Sequence, residues 1–203
     1  MSQHTPQHKL PIMESFYSLQ GEGAYAGTPA YFIRLGGCDV GCHWCDVKES
    51  WNATDHPEVA ISSLSDNFRK SGSPISVVTG GEPLMYDLNE LTSELQSIGR
   101  VHLETSGVYE LTGKWDWICF SPKKFKKPKL DFYQKAHELK VIVYNKSDFE
   151  WAEGHAEKCE HAELFLQPEW SKEKEMLPLI VEYVKQNPKW RISLQTHKYL
   201  NIP

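Results

Sequence analysis

No stretch of this 203-residue chain approaches the ~20 consecutive apolar residues that a membrane-spanning helix needs. The opening MSQHTPQHKLP is polar and has no apolar core of the kind a secretory signal requires. No membrane association is therefore expected, and a cytoplasmic location is. Basic residues are not in excess: 22 Lys and Arg face 27 Asp and Glu, for a formal net charge of −5. That balance offers no footprint for nucleic acid or an acidic membrane surface. The chain has no internal repeat, low-complexity tract or evident linker, so one domain spanning 1–203 is expected, with residues 1–11 as a disordered lead. Cysteines are few and odd in number, five in all, which argues against a disulfide framework and for a reducing compartment.

Three of those five cysteines are crowded into LGGCDVGCHWCDVK, as Cys38, Cys42 and Cys45. Thiolates suit iron–sulfur clusters, zinc and Cu(I). A structural zinc site is closed by four ligands, and an ordinary [4Fe–4S] cluster is held by four cysteines. Here the compact group stops at three, and a cubane so held leaves one iron open for chemistry. A zinc knuckle completed by His43 or a distant residue is the alternative, although His43 lies between two of the cysteines and is poorly placed to close the same tetrahedron. Gly36, Gly37 and Gly41 give the loop the freedom to wrap closely.

Around this loop, apolar strands alternate with amphipathic segments, the pattern of an α/β fold with a parallel sheet. Strands are expected at 29–35, 75–79, 100–104, 116–121, 139–144, 164–166 and 190–194. Helices are expected at 57–71, 84–98, 147–159 and 174–187. Arg34 is anomalous in an apolar strand and needs a partner, with carboxylate recognition a reason to keep it. Cys119 and Cys159 read as core thiols. The run Lys123–Lys129 reads as a solvated basic loop, or as one whose Ser121 and Lys123 reach an active site. The groups QGE, TGG, ETS, SPK, LQP and QTH mostly follow strands. This places them on one rim of a curved sheet, where α/β folds build concave sites.

The C-x3-C-x2-C spacing, with Trp44 before the third cysteine, resembles that of radical S-adenosylmethionine (SAM) enzymes. Gly80-Gly81-Glu82-Pro83, one βα unit later, resembles their amino-group-binding motif. Taken with LQGEG, FIRLGGCDVGCHWCD, ETSG, SPK, LQP and the closing LQTHKYLNIP, the chain from about Ser18 onward resembles the 7-carboxy-7-deazaguanine synthase family. The resemblance implies a partial TIM-like barrel, and a homodimer that takes electrons from a donor such as flavodoxin. It implies conversion of 6-carboxy-5,6,7,8-tetrahydropterin to 7-carboxy-7-deazaguanine and ammonia, with SAM regenerated. It assigns Cys38, Cys42 and Cys45 to a [4Fe–4S] cluster. Trp44, Cys45, Asp46, Gly81, Ser121, Pro122 and Lys123 would line SAM. Leu19, Gln20, Gly21, Glu22, Arg34, Thr79, His197 and the terminal carboxylate on Pro203 would meet the substrate. The family's Mg²⁺-ligating hydroxyl falls at position 47, where this chain has Val47, so either Mg²⁺ dependence is weakened or absent or another group binds the metal. Two rivals are a glycyl-radical enzyme activase, which would need no such small pocket, and a zinc-stabilised binding module.

Overall fold

The alternation of apolar strands and amphipathic helices is realised in the computed structural model, in which residues 8–203 are described. They fall into two compact units. The first takes residues up to Ser18, Pro29–Glu104 and Thr112–Asp116; the second takes Leu19–Thr28, Thr105–Leu111 and Trp117–Pro203.

In the first unit the elements run β1 (Lys9–Leu19), β2 (Pro29–Leu35), β3 (Glu58–Ala60), α1 (Ile61–Ser71), β4 (Ile75–Gly80), α2 (Asn89–Gln96) and β5 (Arg100–Thr105). The strand order is β3-β1-β2-β4-β5. β3 lies antiparallel on β1, whereas β2, β4 and β5 are parallel, with Ala30 opposite Ile75 and Ile75 opposite Arg100. Ala30, Ile33, Leu35, Val77, Val78, Val101 and Leu103 are fully buried. This is how strands buried on both faces read in sequence. α1 buries Ile61, Leu64 and Phe68, and α2 buries Leu91 and Leu95. The two helices are joined by a 2.7 Å hydrogen bond from Ser65 Oγ to Glu94. α1 stops at Gly72, whose φ of 66° is the left-handed conformation that ends helices.

The second unit contains β6 (Trp117–Phe120), α3 (Phe132–Lys135), β7 (Glu138–Val143), α4 (Ser147–Ala156), β8 (Glu163–Pro168), α5 (Glu173–Gln186), β9 (Trp190–Ile192) and α6 (Thr196–Leu200). Its strands are ordered β6-β7-β8-β9 and all are parallel. Phe120 packs on Phe132 and Tyr133 with ring centroids 5.6 and 5.3 Å away, and Tyr133 Oη is hydrogen-bonded to His155 Nδ1 at 2.9 Å. Cys119 and Cys159 are buried, and burial pushes the Cys159 thiol up to about 11, which fits the inert role expected of it.

Several boundaries differ from the sequence expectations. The lead expected over 1–11 lies outside the described residues as far as residue 7. Lys9–Pro11 do not continue it, because they open β1 and pair with Glu58–Ala60. The segment from Pro57, expected to be helical throughout, begins with that short strand, and α1 starts only at Ile61. Backbone pairing to β1 overrides local helical spacing there. The helix expected over 84–98 is split: Glu82 caps a 3₁₀ turn at Pro83–Met85, and α2 begins at Asn89. α4 ends at Ala156, three residues before Cys159. Among the described residues no helix is long and apolar enough to cross a membrane.

Ile33 is fully buried on β2, between β1 and β4 in the first unit. Ile33→Ala is expected to lower the unfolding free energy by about 2–5 kcal/mol. A denaturant titration that moved the midpoint by less than a Val-sized change would contradict this packing.

Candidate active site

In each unit, parallel strands bring their carboxyl ends to one edge, and the polar motifs follow from those ends. In the first unit, β2 runs directly into the three-cysteine loop and β4 into Gly80-Gly81-Glu82. The loop is tethered by its backbone at both ends. Gly37 N donates to Ser50 O at 2.6 Å, Cys38 N to Trp51 O at 3.0 Å, and Cys45 N to Cys42 O at 3.1 Å. Glu82 N donates to Gly37 O at 2.9 Å, and Tyr86 Oη to Gly36 O at 2.9 Å. The two glycine segments therefore lie backbone to backbone. A Cβ on Gly81 would stand 2.2 Å from the Gly37 carbonyl oxygen and 2.8 Å from Cys38 Cβ. Only glycine permits that approach.

Cys38, Cys42 and Cys45 are all free thiols; Cys42 is buried and the other two are half-buried. Burial raises the Cys38 thiol above its ordinary value, with Glu82, Cys45 and Asp39 adding to the effect. Such a thiol becomes a thiolate readily only with a cationic partner such as a metal centre. Among the described residues no group of three His, Cys, Asp or Glu side chains is gathered to hold a single metal ion. A polynuclear cluster does not require that convergence, because each thiolate meets a different iron. His43 is exposed and packs edge-on against half-buried Trp44, and Asp46 is exposed. The donor set and the glycine cradle therefore fit an iron–sulfur cluster better than a closed zinc tetrahedron.

Two further expected site residues of this unit are held by carboxylates. Arg34 is half-buried, and its Nε donates to Glu14 Oε1 at 2.7 Å. Thr79 Oγ1 donates to Glu104 Oε2 at 3.1 Å. Val47 is half-buried and presents no side-chain oxygen; its carbonyl accepts from Ser50 N at 3.1 Å and Ser50 Oγ at 2.7 Å.

The second unit gathers Gln20, Gly21, Glu22 and His197. Gly21 O accepts from Thr196 N at 2.9 Å and Thr196 Oγ1 at 2.8 Å. His197 lies so close on Gly21 that a Cβ there would meet Nδ1 at 2.2 Å. Glu22 N donates to Gln20 Oε1 at 3.0 Å. The Glu22 carboxylate is ion-paired with buried Lys140 on β7 through Oε2, and accepts from Gln195 Nε2 through Oε1 at 2.9 Å. Burial alone would raise the Glu22 carboxyl, but Lys140, Gln195 and His197 together outweigh it and lower it from 4.5 to about 2. Gly23 N donates to Ser193 Oγ at 2.9 Å, and Ala24 N to Glu138 Oε2 at 3.0 Å. Gly23 has φ 63°, and a Cβ on it would collide with Glu138. Leu19 precedes this turn at the end of β1 and is half-buried, as is Ile202 beside exposed Pro203. Ser121 and Pro122 are buried just after β6, and Lys123 Nζ folds back onto Ser121 O at 2.9 Å and Ser121 Oγ at 2.6 Å.

Sequence reasoning overlooked Lys140, Gln195 and Glu138 as partners of the Gln20–Ala24 turn, and Glu14 as the partner of Arg34. The signal for Lys140 was present: a lone cation in the apolar strand LKVIV needs a partner for the same reason Arg34 does.

No family model matches the chain. It is 61% identical over 196 residues to 7-carboxy-7-deazaguanine synthase of Flavobacterium psychrophilum, covering 96% of this chain and 93% of that protein. It is 50% identical to the protein of the same name from Synechocystis, over 95% of this chain and 93% of the relative. Among solved structures it is similar to the crystal structure of QueE from Escherichia coli, with TM-score 0.82, 30% identity, and 93% and 95% of the two chains covered. That likeness bears out the α/β fold class expected from the sequence, a partial TIM-like barrel.

Because the Glu22 carboxyl is lowered in the folded protein, its contribution to stability is full above pH 4.5 and is lost as pH falls towards 2. Glu22→Gln is expected to cost about 3 kcal/mol at neutral pH by removing the charge that faces buried Lys140. Denaturation from pH 7 to 2 should show the gap between wild type and variant narrowing below pH 4.5. A constant gap would mean that the carboxylate is not so held.

Proposed function

The chain belongs to the 7-carboxy-7-deazaguanine synthase family, and from that premise we propose that it is a cytoplasmic radical SAM enzyme of queuosine biosynthesis. It converts 6-carboxy-5,6,7,8-tetrahydropterin to 7-carboxy-7-deazaguanine with loss of ammonia. The observation that carries the reading is the loop of three free thiols at the end of β2, with the Gly81 backbone packed against it. Cys38, Cys42 and Cys45 would hold a [4Fe–4S] cluster. When bound, that cluster and SAM would supply the reducing and radical chemistry that hydrogen abstraction from the substrate requires.

The chain's own residues bind and orient. Trp44, Cys45, Asp46, Gly81 and the Ser121–Lys123 turn line SAM; the glycine lets backbone N–H and C=O groups come within reach of it. Lys123 braces its own turn through Ser121. Arg34 takes the substrate carboxylate. Because Glu14 engages its Nε, the terminal nitrogens keep their orientation for that carboxylate. Thr79, braced by Glu104, offers its hydroxyl oxygen as an acceptor. Glu22, Gln20 and the backbone of Leu19 and Gly21 read the aminopyrimidinone edge, with His197 packed over Gly21. Each of these readers leaves a buried polar group unmatched when the wrong ligand enters. The enzyme acts as a homodimer and accepts its electron from a flavodoxin-like donor.

The decisive experiment is anaerobic reconstitution with iron and sulfide, reduction, and addition of SAM and the pterin, with mass spectrometry of the products. Many turnovers of 7-carboxy-7-deazaguanine without matching loss of SAM are expected. Cleavage of SAM without that product would assign the radical chemistry to another substrate. A colourless protein with one zinc and no cleavage would return the cysteines to a zinc site.

Val47 gives Mg²⁺ no side-chain oxygen, and its carbonyl is already bonded to Ser50. Adding Mg²⁺ to EDTA-treated enzyme is expected to change turnover little, whereas Val47→Thr should introduce a response. A many-fold rise in the wild type would show that other groups bind the ion.

A further inference from the structure

Lys140 is 4% exposed and sits in β7 among Leu139, Val141 and Val143, all fully buried. Its ammonium is ion-paired with Glu22, which lies outside β7. Building on the functional reading above, we propose that Lys140 is a positioning residue for substrate recognition. Together with Gln195 it fixes Glu22 as an anion with two free acceptor positions, matched to a paired N–H donor edge such as that of a 2-aminopyrimidinone.

The argument is geometric. A carboxylate has about four lone-pair sites, two on each oxygen. Lys140 occupies a site on Oε2 and Gln195 a site on Oε1 at 2.9 Å. One site remains on each oxygen, the spacing that a ring N–H and its neighbouring amino group present together. The Glu22 side chain is 16% exposed, so its carboxylate is not wholly enclosed by the two donors. Its backbone is also pinned on both sides, by Gln20 Oε1 on Glu22 N and by Ser193 Oγ on Gly23 N. Ser193 Oγ in turn donates to Gln167 Oε1 at 2.6 Å. A protonated Glu22 would turn a donor towards the two donors of the ligand and lose one of the two bonds. Keeping the charge, and keeping it pointed, are thus the same requirement, and Lys140 meets both.

A merely structural pair would stabilise this unit without affecting recognition. A thermodynamic cycle separates the two. KM, kcat and thermal midpoint are measured for reconstituted wild type, Lys140→Met, Lys140→Arg, Glu22→Gln and the double variant Glu22→Gln/Lys140→Met, with 6-carboxytetrahydropterin as substrate. Lys140→Met should raise KM about tenfold or more, the ratio carried by one misplaced charge-assisted hydrogen bond, with a smaller change in kcat. Lys140→Arg should restore most of the loss. In the Glu22→Gln background, Lys140→Met should add nothing to KM, because its effect runs through the carboxylate. A wild-type KM in Lys140→Met, or KM increases that multiply in the double variant, would overturn the proposal. Should Lys140→Met fail to fold, Lys140→Gln, which keeps a donor to the carboxylate without the charge, takes its place: a raised KM that Lys140→Arg restores upholds the proposal, and a wild-type KM overturns it. Absence of product from the wild type would instead overturn the functional reading on which this inference stands.

Discussion

A charge placed inside an apolar strand must be answered by another charge, and the second unit is arranged around that constraint. Lys140 is the charge and Glu22 is the answer, 118 residues away in sequence. An isolated ammonium at that depth would be neutralised or would unfold its surroundings. The pair is not left alone: Gln195 takes the second carboxylate oxygen, and Glu138, two residues before Lys140 on β7, takes the backbone of Ala24. Residues of one strand thus hold a turn by its side chain and by its main chain at once. Glycine follows from the same crowding. Gly21 has no room for a Cβ because His197 occupies the space, and Gly23 none because Glu138 does. In the QGEG turn the carboxylate reaches Lys140 while both flanking residues fit the space that His197 and Glu138 leave.

The first unit solves a different problem with the same residue. Here the constraint is backbone against backbone, at Gly37 and Gly81, and the bond from Glu82 N to Gly37 O closes it. Glu82 itself is buried and spends its carboxylate on the Leu84 N–H at 3.2 Å, capping the 3₁₀ turn. That places a negative charge near Cys38, where it opposes ionisation of the thiol. A thiol held above its ordinary value in this way is a poor candidate for a free reactive cysteine.

How legible was this in the sequence? The parallel strands were, because they are buried on both faces and appear as apolar runs bounded by Gly and Pro. The cysteine loop and GGEP were legible because their spacing is local. β1 was not: its residues alternate only weakly, and Lys9–Pro11 become a strand by pairing with Glu58–Ala60 some fifty residues away. The same pairing removed the first turn expected of α1. The partners of the polar residues were hidden for a related reason. Arg34 announced that it needed a carboxylate, yet nothing in its neighbourhood named Glu14, which sits on another strand. Lys140 announced the same need and was passed over inside LKVIV. Local chemistry states what a residue requires; topology decides which residue supplies it.

The pairing of Arg34 with Glu14 and that of Glu22 with Lys140 have a common logic, and it bears on specificity. In each, a group proposed to read one end of the substrate has one part committed to an opposite charge on the protein and the rest turned to other work. A reader held this way loses little rotamer freedom on binding, so less of the interaction energy is consumed in ordering it. It is also intolerant. With its charge state fixed, it cannot convert from acceptor to donor to suit a different ring edge, and with its direction fixed, it cannot swing to follow a displaced carboxylate. A ligand that fails either end leaves a fixed charge facing an unmatched group, which costs more than the lost bond alone. Each salt bridge thereby does for the proposed reader it holds what burial alone could not: it keeps the charge and fixes its direction.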